Sequence, residues 1–386
     1  MDRPAEYRHT VPIRQVRPGP QRPRKPPPRT PRRRRWVTAA LMVGVSLASV
    51  TACVAQTQLA APRTPASSEA PSPAPLPPPP PPPPPKVYWP LTGVESGAVA
   101  PHPALAVKIE NSADSRPQTG LNAADIVWEE VVEGGITRFV AVYHSTLPPE
   151  IGPIRSVRPM DAAITAPLHG LLAFSGGQRG FVDAIAGAGV QVVSMDAGHG
   201  GFYRSNRRYA PHNVYANPAD FLAQADPEHQ PDPAPQFAIA KPDQLPSAVA
   251  TGVPAAAVRL KLSSASFPTW SWNPTTSRWD RAEGTTPAVG ADGVPLTAAN
   301  VVVLRVGVVN TGTFDPAGNP VPDMQMIGSG EALVATGGRA LTATWTKNSP
   351  AEPVSLTGPD GAPILLGWGN TWVELVPTGN GSVTVG

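Results

Sequence analysis

Two arginines set three residues apart are the feature of this sequence best suited to chemistry. The stretch IGPIRSVRPMD (151–161) holds Arg155 and Arg158 between a Gly-Pro pair and a further proline. Guanidinium groups present paired donors that match phosphate and carboxylate oxygens. A Gly-Pro turn before a helix start would also bring free backbone amides close to a bound anion. The spacing therefore predicts an anion-binding loop.

Other donors in the sequence could converge on the same loop. GITRF supplies an arginine just before it, and APHN supplies a histidine and an asparagine after it. We expect an anion pocket built from Arg138, Arg155, Arg158, His212 and Asn213. The preceding run SNRRYAPHN adds Arg204, Arg207 and Arg208, which either extend the positive charge or form a solvated loop. The alternative to a pocket is a structural salt-bridge network, because Glu129, Glu130, Glu133 and Asp161 are near in sequence and could neutralise these arginines.

Catalysis is the second function class that the residues allow. The run WEEVVEG could provide acid and base carboxylates, with Glu129 and Glu133 on one face of a strand. Ser175 follows a predicted strand, but Ala173 breaks the Gly-x-Ser-x-Gly pattern of hydrolases. Since no nucleophile, base and orienting group match as a set, we assign no catalytic residue. A non-catalytic binding module is favoured over a hydrolase or transferase that would use Glu129, Glu133 or His212 on wall polymers bearing phosphate or carboxylate.

Metal and cofactor sites are not indicated. The histidines outside the N-terminal region include His144, His169, His199 and His212, and no two of these have the spacing of a zinc pair. The chain has a single cysteine, and we predict no cofactor.

The elements that would position these residues alternate in type along the first half of the body. ALAVKIEN (104–111), ADIVWEEVVEGG (124–135) and ITRFVAVYHS (136–145) are typical of strands, with Gly134-Gly135 as a hairpin turn. GLLAFSGG and QVVSMDAG predict strands that alternate with helices over MDAAITAPLHG, QRGFVDAIAGAG and ADFLAQA, and Asn217-Pro218 opens the last of these helices. This order predicts an α/β domain with a mixed sheet.

The second half is different. Strand-like runs such as NVVVLRVGVVNTG and GNTWVELVP, separated by turn residues, predict a smaller, mainly antiparallel β domain. Six of its tryptophans could form a sugar platform: Trp270, Trp272, Trp279, Trp345, Trp368 and Trp372. Trp270 and Trp272 sit at strand period, however, which favours a packed face. The full division is a basic region (1–35), an apolar signal and lipobox segment (36–53), a Pro-rich linker (54–86), the α/β domain (87–225), a linker (226–249), the β-rich domain (250–379) and a tail (380–386).

The N-terminal charge and apolar segment indicate export. Residues 1–35 hold 12 of the 31 basic side chains and 2 of the 28 acidic ones. The rest of the chain therefore holds 19 basic and 26 acidic side chains, a net charge of −7. An acidic body argues against nucleic acid as a partner.

Four arginines precede WVTAALMVGVSLASVTAC, whose ending VTAC matches a bacterial lipobox with Cys53 as the lipid attachment site. We expect a lipid anchor that holds the body on the outer face of the cell membrane, with an uncleaved single-span signal anchor as the alternative.

Nine consecutive prolines, Pro77–Pro85, close the linker. We expect the N-terminal region to be disordered and this tract to be extended polyproline II, which would act as a spacer from the membrane. Docking of the tract in an aromatic-lined groove of a partner domain is the less favoured use.

Four segments resemble the YerB-like family, two-domain envelope lipoproteins of Gram-positive bacteria classed as domain of unknown function family 3048. They are EGGITRF (133–139), IGPIRSVR (151–158), APHN (210–213) and GNTW (369–372), and the resemblance extends over nearly all of residues 89–377. It implies the two-domain architecture and a lipid anchor, and it implies no reaction. An anionic wall component, a lipid headgroup or an envelope protein remain the expected partners.

Overall fold

A computed structural model of the chain describes residues 86–97 and 100–386. The predicted basic region, the signal and lipobox segment with Cys53, and the proline tract lie outside the described residues. Within the described part, no helix has the length and apolar character that crossing a membrane requires.

One large mixed sheet organises the described part of the chain, and ten of its strands follow one another across it. In spatial order these are β10 (Val253–Pro254), β20 (Arg339–Lys347), β19 (Gly328–Thr336), β16 (Asn300–Val306), β22 (Thr371–Pro377), β4 (Ile126–Val131), β5 (Thr137–Tyr143), β3 (Leu105–Glu110), β6 (Leu171–Phe174) and β7 (Gln191–Ser194). The eleventh strand, β21 (Ser355–Thr357), pairs with β20.

A second, antiparallel sheet comes from the later half of the chain. It consists of β14 (Thr286–Pro287), β13 (Arg278–Glu283), β12 (Pro268–Asn273), β11 (Ala257–Lys261) and β23 (Ser382–Val385), with β15 (Thr297–Ala298) paired to β13. Three two-stranded ribbons complete the strands: β1 (Val87–Tyr88) with β2 (Glu95–Ser96), β8 (Phe202–Arg204) with β9 (Val214–Ala216), and β17 (Val308–Phe314) with β18 (Pro320–Met324).

The helices are short and belong mostly to the first half. The α-helices are α1 (Asp161–Thr165), α2 (Arg179–Gly187), α3 (Pro218–Leu222) and α4 (Ser247–Thr251). Single 3₁₀ turns cover Ala113–Ser115, Leu121–Ala123, Glu133–Gly135, Ala166–Leu168 and Pro227–His229. The start of α3 follows its sequence signal, since the Asn217 side chain accepts a hydrogen bond from the Ala219 amide at 3.1 Å.

The predicted fold class is confirmed: a mixed sheet with helices, followed by a mainly antiparallel β region. One strand departs from that pattern. β22, from the GNTWVELVP segment, pairs in parallel with β16 on one side and with β4 on the other. Because β4 belongs to the first half of the chain and β16 to the second, the large sheet is continuous across both halves. The domain limits 87–225 and 250–379 stay a prediction.

The core lies on both faces of the large sheet. All residues of β3, β4 and β5 are buried, as expected for central strands covered on both sides. The antiparallel sheet covers one face, where Trp270 of β12 meets Trp372 of β22 with ring centroids 5.2 Å apart. Four of the six predicted platform tryptophans, Trp270, Trp279, Trp345 and Trp372, are at most 2 % exposed, which supports the packed-face interpretation.

Candidate functional site

A row of charged side chains crosses three neighbouring strands on the other face of the large sheet. Arg138 of β5 is in register with Glu130 of β4 on one side and with Glu110 of β3 on the other. Lys108, two residues before Glu110, points to the same face because side chains alternate along a strand. These four side chains form the floor of the candidate site.

The IGPIRSVR segment lies above this row in an extended conformation. Ile154 forms a bridge with Ile109, and the Arg155 amide donates to the Lys108 carbonyl at 2.9 Å. On the other side, the Ser175 amide donates to the Arg155 carbonyl at 3.1 Å. The segment thus runs between the ends of β3 and β6 in place of the predicted Gly-Pro turn. The predicted helix does follow it, since α1 begins at Asp161.

Arg158 is held by a buried carboxylate. Its Nη2 donates to Oε2 of Glu133 at 2.7 Å, and its Nε donates to the other oxygen of the same carboxylate. The remaining Nη1 donates to the Val157 carbonyl at 2.7 Å. With its side chain 9 % exposed, Arg158 has its donors satisfied inside the protein and serves a structural purpose.

Arg138 is buried beside the other two arginines. Its Nη1 donates to the Ser156 carbonyl at 2.6 Å, and its Nη2 lies 3.9 Å from Oε2 of Glu133. Burial, followed by the positive charges of Arg158 and Arg155, lowers the pKa of Arg138 to about 10. The three guanidinium groups therefore do converge, as the sequence predicted.

Arg155 differs from its neighbours because it is open to solvent. Its side chain is 23 % exposed, and its nearest carboxylate oxygen, Oε1 of Glu110, lies 3.5 Å from Nε. None of its guanidinium nitrogens donates a hydrogen bond to a residue that the structure describes. Arg155 is thus the most exposed of the three guanidinium groups of this cluster.

Glu110 also holds His212 in place. Its Oε1 accepts hydrogen bonds from Nδ1 of His212 at 2.8 Å and from Oγ of Ser112 at 2.8 Å. Nε2 of His212 lies 3.9 Å from the exposed carboxylate of Asp114, and the imidazole is 23 % exposed. Sequence reasoning missed Glu110, although its position opposite Arg138 at the end of a strand was a usable signal.

Asn213 and the arginines before it are engaged elsewhere. The Asn213 carboxamide accepts from Arg204 at 2.8 Å and donates to the Ser205 carbonyl at 3.3 Å. Arg207 pairs with Glu150 at 2.6 Å. Arg208 donates to three backbone carbonyls of the loop 114–117, the shortest at 2.6 Å. The structure therefore brings Arg138, Arg155, Arg158 and His212 together and leaves Asn213 outside.

Cations and carboxylates are both concentrated at the site. Lys108 bonds to Asp161 at 2.7 Å and to Glu130. Burial and the nearby Asp161 charge raise the pKa of Glu130 to about 8. A raised pKa makes this carboxyl a weaker counter-charge for Lys108 and the arginines beside it.

With this geometry in place, comparison with known proteins assigns the chain. Two family models match it: the N-terminal domain of protein of unknown function DUF3048 over residues 91–230, and the corresponding C-terminal domain over residues 258–373. The chain belongs to the DUF3048 family. The four segments that carried the resemblance all lie within the two matched regions.

A relative and a solved structure agree with the family. The chain is 32% identical over 142 residues to "Putative lipoprotein YerB" of Bacillus subtilis (strain 168), an alignment that covers 36% of this chain and 43% of the relative. The crystal structure of the YerB protein from Bacillus subtilis superposes with a TM-score of 0.66 at 21% identity, covering 78% of this chain and 100% of that one. At 21% identity, the likeness to the crystal structure concerns the fold alone.

The two DUF3048 regions are joined by a buried ionic cluster on the sheet face opposite the candidate site. Arg281 of β13 donates to Glu374 at 2.8 Å, to Glu129 at 2.6 Å and to Glu283 at 2.9 Å. Its guanidinium also lies over the rings of Phe139, Trp270 and Trp372. Burial, followed by the Glu129 charge, raises the pKa of Glu374 well above its usual range.

This cluster and the Arg158 pair bear on the catalytic alternatives. Glu129 has no exposed side-chain surface and is bound to Arg281, while Glu133 is bound to Arg158. Neither carboxylate is accessible to a substrate in this conformation. Of the three candidate acids or bases, Glu129, Glu133 and His212, only His212 has an accessible atom, its Nε2. Its ring is oriented by Glu110. Among the described residues, no three His, Cys, Asp or Glu side chains are grouped so as to hold a metal ion.

Proposed function

We propose that this DUF3048 protein is a membrane-anchored envelope lipoprotein whose first region binds an anionic group through Arg155 and His212. The observation that carries the proposal is the Arg155 guanidinium, partly exposed and without a hydrogen bond to a described residue, beside two buried arginines. Arg138 and Arg158 support it by adding positive potential, and Glu110 orients His212 towards the same opening. Phosphate and carboxylate are the groups that this donor set fits.

Binding can be tested by thermal shift with phosphate-bearing and carboxylate-bearing wall fragments, polyol phosphates and lipid headgroups. A ligand at 100 times its Kd should stabilise the protein by about 2.7 kcal/mol. Arg155→Ala should abolish the shift while changing the melting temperature of the free protein little. Arg179→Ala is the matched control, because Arg179 is an arginine of α2 whose side chain is 93% exposed. A thermal shift that persists in Arg155→Ala would exclude the site. The absence of a shift with every compound would exclude it as well.

The membrane anchor is supported by the lipobox-like VTAC ending at Cys53 and by the name of the Bacillus subtilis relative. We place the body on the outer face of the cell membrane, with an uncleaved signal anchor as the alternative. Labelling with a radioactive fatty acid distinguishes the two, since Cys53→Ser should remove the label from a lipoprotein and leave the membrane association of a signal anchor unchanged.

A hydrolase or transferase acting on the same class of ligand is the second candidate, and the Glu110–His212 pair favours it. A carboxylate bonded to Nδ1 leaves Nε2 to accept or deliver a proton. His212→Gln should then abolish release of product from a bound wall fragment while leaving the thermal shift nearly intact. If binding alone is the function, no product is released by either form.

A further inference from the structure

An aromatic groove lies apart from the anion site, at the point where the described chain begins. We define the aromatic groove by Tyr88, Trp89, Pro90, Phe237, Ile239 and Trp368, which line most of its apolar wall. Its volume is about 680 Å³, and Lys241 is the charged residue in its lining. A groove of this size and composition fits an apolar chain segment.

Trp368 is held in position in the groove but remains open to solvent. Its Nε1 donates to the Ala240 carbonyl at 2.6 Å, yet the residue is 44 % exposed. The Tyr88 ring lies 6.1 Å from the Trp368 ring at an angle of 45°. Trp368 is the exception among the six tryptophans considered above, because the four buried ones pack in the core and Trp272 is partly buried. A fixed, exposed indole next to a tilted phenol forms a surface against which the C–H groups of a proline ring can pack.

Backbone contacts make the groove a rigid feature. Gly93, with φ of +68°, approaches so closely that a Cβ at this position would lie 2.6 Å from the Ile239 side chain and 3.1 Å from Trp368. The Gly369 amide donates to the Thr92 carbonyl at 2.9 Å. These contacts join the first described loop to the turn that carries Trp368, so the groove needs little ordering to receive a ligand.

The sequence places a matching segment immediately before this groove. The proline tract ends at Pro85, and Lys86 alone separates it from β1, whose Tyr88 belongs to the groove wall. Proline segments in the polyproline II conformation bind aromatic-lined grooves with little loss of entropy. A tether this short keeps the effective concentration of the segment in the millimolar range or higher.

We propose that the last six prolines of the tract, Pro80–Pro85 of the same chain, dock in the aromatic groove as a polyproline II segment. In that conformation they span about 19 Å. Docking would hold the end of the linker on the body and leave the residues before Pro80 as the spacer.

Oxidative footprinting read by mass spectrometry tests the proposal on residues 54–386, which retain every described strand. In the comparison protein, Pro80–Pro85 are replaced by a Gly-Ser repeat of equal length, a change that leaves the described fold intact. Trp368 and Tyr88 should be oxidised several-fold more slowly with the prolines than with the repeat. Phe314, 60 % exposed on the distant β17, should react equally in both proteins.

Titration with a synthetic hexaproline peptide provides the second readout. The peptide should bind the Gly-Ser protein, whose groove is vacated, and should bind the parent protein at least several-fold more weakly. Equal oxidation of Trp368 in the two proteins, or no peptide binding to the Gly-Ser protein, would overturn the proposal. Protection that grows with protein concentration would also overturn it, since the prolines would then come from a neighbouring copy.

Discussion

Arg155 and Arg158 are close in sequence, yet they meet different environments. The Arg158 guanidinium is bonded to both oxygens of Glu133, and Arg155 faces solvent beside Glu110. The salt-bridge network, one of the two alternatives at the level of sequence, is present and fixes Arg158 and Arg138. The anion pocket stays a proposal, and Arg155 is its proposed contact. Their different burial makes the two roles separable by mutation.

Replacing Arg158 should cost much more stability than replacing Arg155. Arg158→Ala leaves the buried Glu133 carboxylate without its main partner, and we expect a loss of about 3–5 kcal/mol. Arg155→Ala removes a partly exposed cation, so the loss should be below about 1 kcal/mol. Urea unfolding of both variants measures the difference. Equal losses would contradict the distinction between a structural and a binding arginine.

The Glu130 carboxyl should make stability depend on pH. Its pKa rises from 4.5 in the unfolded chain to about 8 in the fold because of burial and Asp161. The native state therefore holds the proton more tightly, and this contribution to stability is complete below pH 4.5 and is lost as pH rises towards 8. Glu130→Gln cannot titrate, so its unfolding free energy should fall less steeply over this window, by up to about 1.4 kcal/mol per pH unit.

The Glu130 measurement consists of urea unfolding of parent and variant at several pH values between 5 and 8.5. Other buried groups, Glu374 among them, titrate in both proteins, so the difference between the two curves isolates Glu130. Parallel curves would contradict the raised pKa of Glu130.

At the scale of elements, the IGPIRSVR segment depends on a close backbone approach. A Cβ on Gly152 would lie 2.5 Å from the Tyr215 ring and 2.9 Å from the Val214 carbonyl oxygen. β9, which carries Val214 and Tyr215, therefore packs directly against the start of the segment. This contact sets the height at which the segment crosses the sheet, and with it the position of Arg155 above Glu110.

Gly152→Ala should destabilise the protein and weaken anion binding together. The added methyl group must displace the Tyr215 ring or the segment itself, at a cost of about 1–3 kcal/mol. Gly180→Ala in α2 is the matched control, because no atom lies within 4 Å of the added methyl group, and the change should be neutral or stabilise by up to about 1 kcal/mol. Thermal unfolding and ligand titration of both variants measure these effects. A Gly152→Ala protein with unchanged stability and unchanged anion binding would contradict the role of this backbone contact.

At the scale of the whole molecule, the continuous sheet makes the two DUF3048 regions depend on each other. β22 of the second region pairs in parallel with β4 of the first, from Thr371 opposite Ile126 to Glu374 opposite Glu129. Arg281 reaches from the second region to the buried Glu129. Either region alone would expose a strand edge and leave a buried charge unpaired.

A chain ending at residue 250 should therefore fail to fold by itself. We expect it to aggregate or to lack cooperative unfolding, because the edge of β4 is exposed and Glu129 has lost Arg281. Size-exclusion chromatography and urea unfolding measure this, and co-expression with residues 251–386 should restore a soluble complex. A monomeric, cooperatively unfolding fragment would instead favour two independent domains.

The sequence by itself determined the local features of this protein. Strand runs such as ALAVKIEN and ITRFVAVYHS, the Gly134-Gly135 turn and the Asn217 cap depend on neighbouring residues and on period, and each is present in the structure. The predicted approach of Arg138, Arg155 and Arg158 also holds, because a strand and the segment shortly after it lie side by side.

Only the tertiary structure decided which charges pair and which strands meet. Glu110 and His212 are 102 residues apart, and Arg281 and Glu129 are 152 apart, so no periodicity or spacing links them. The parallel pairing of β22 with β4 is equally non-local. Whether a guanidinium binds a ligand or a buried carboxylate depends on burial and on partners brought together by the fold, and this is why Arg155 and Arg158 could not be told apart before it was known.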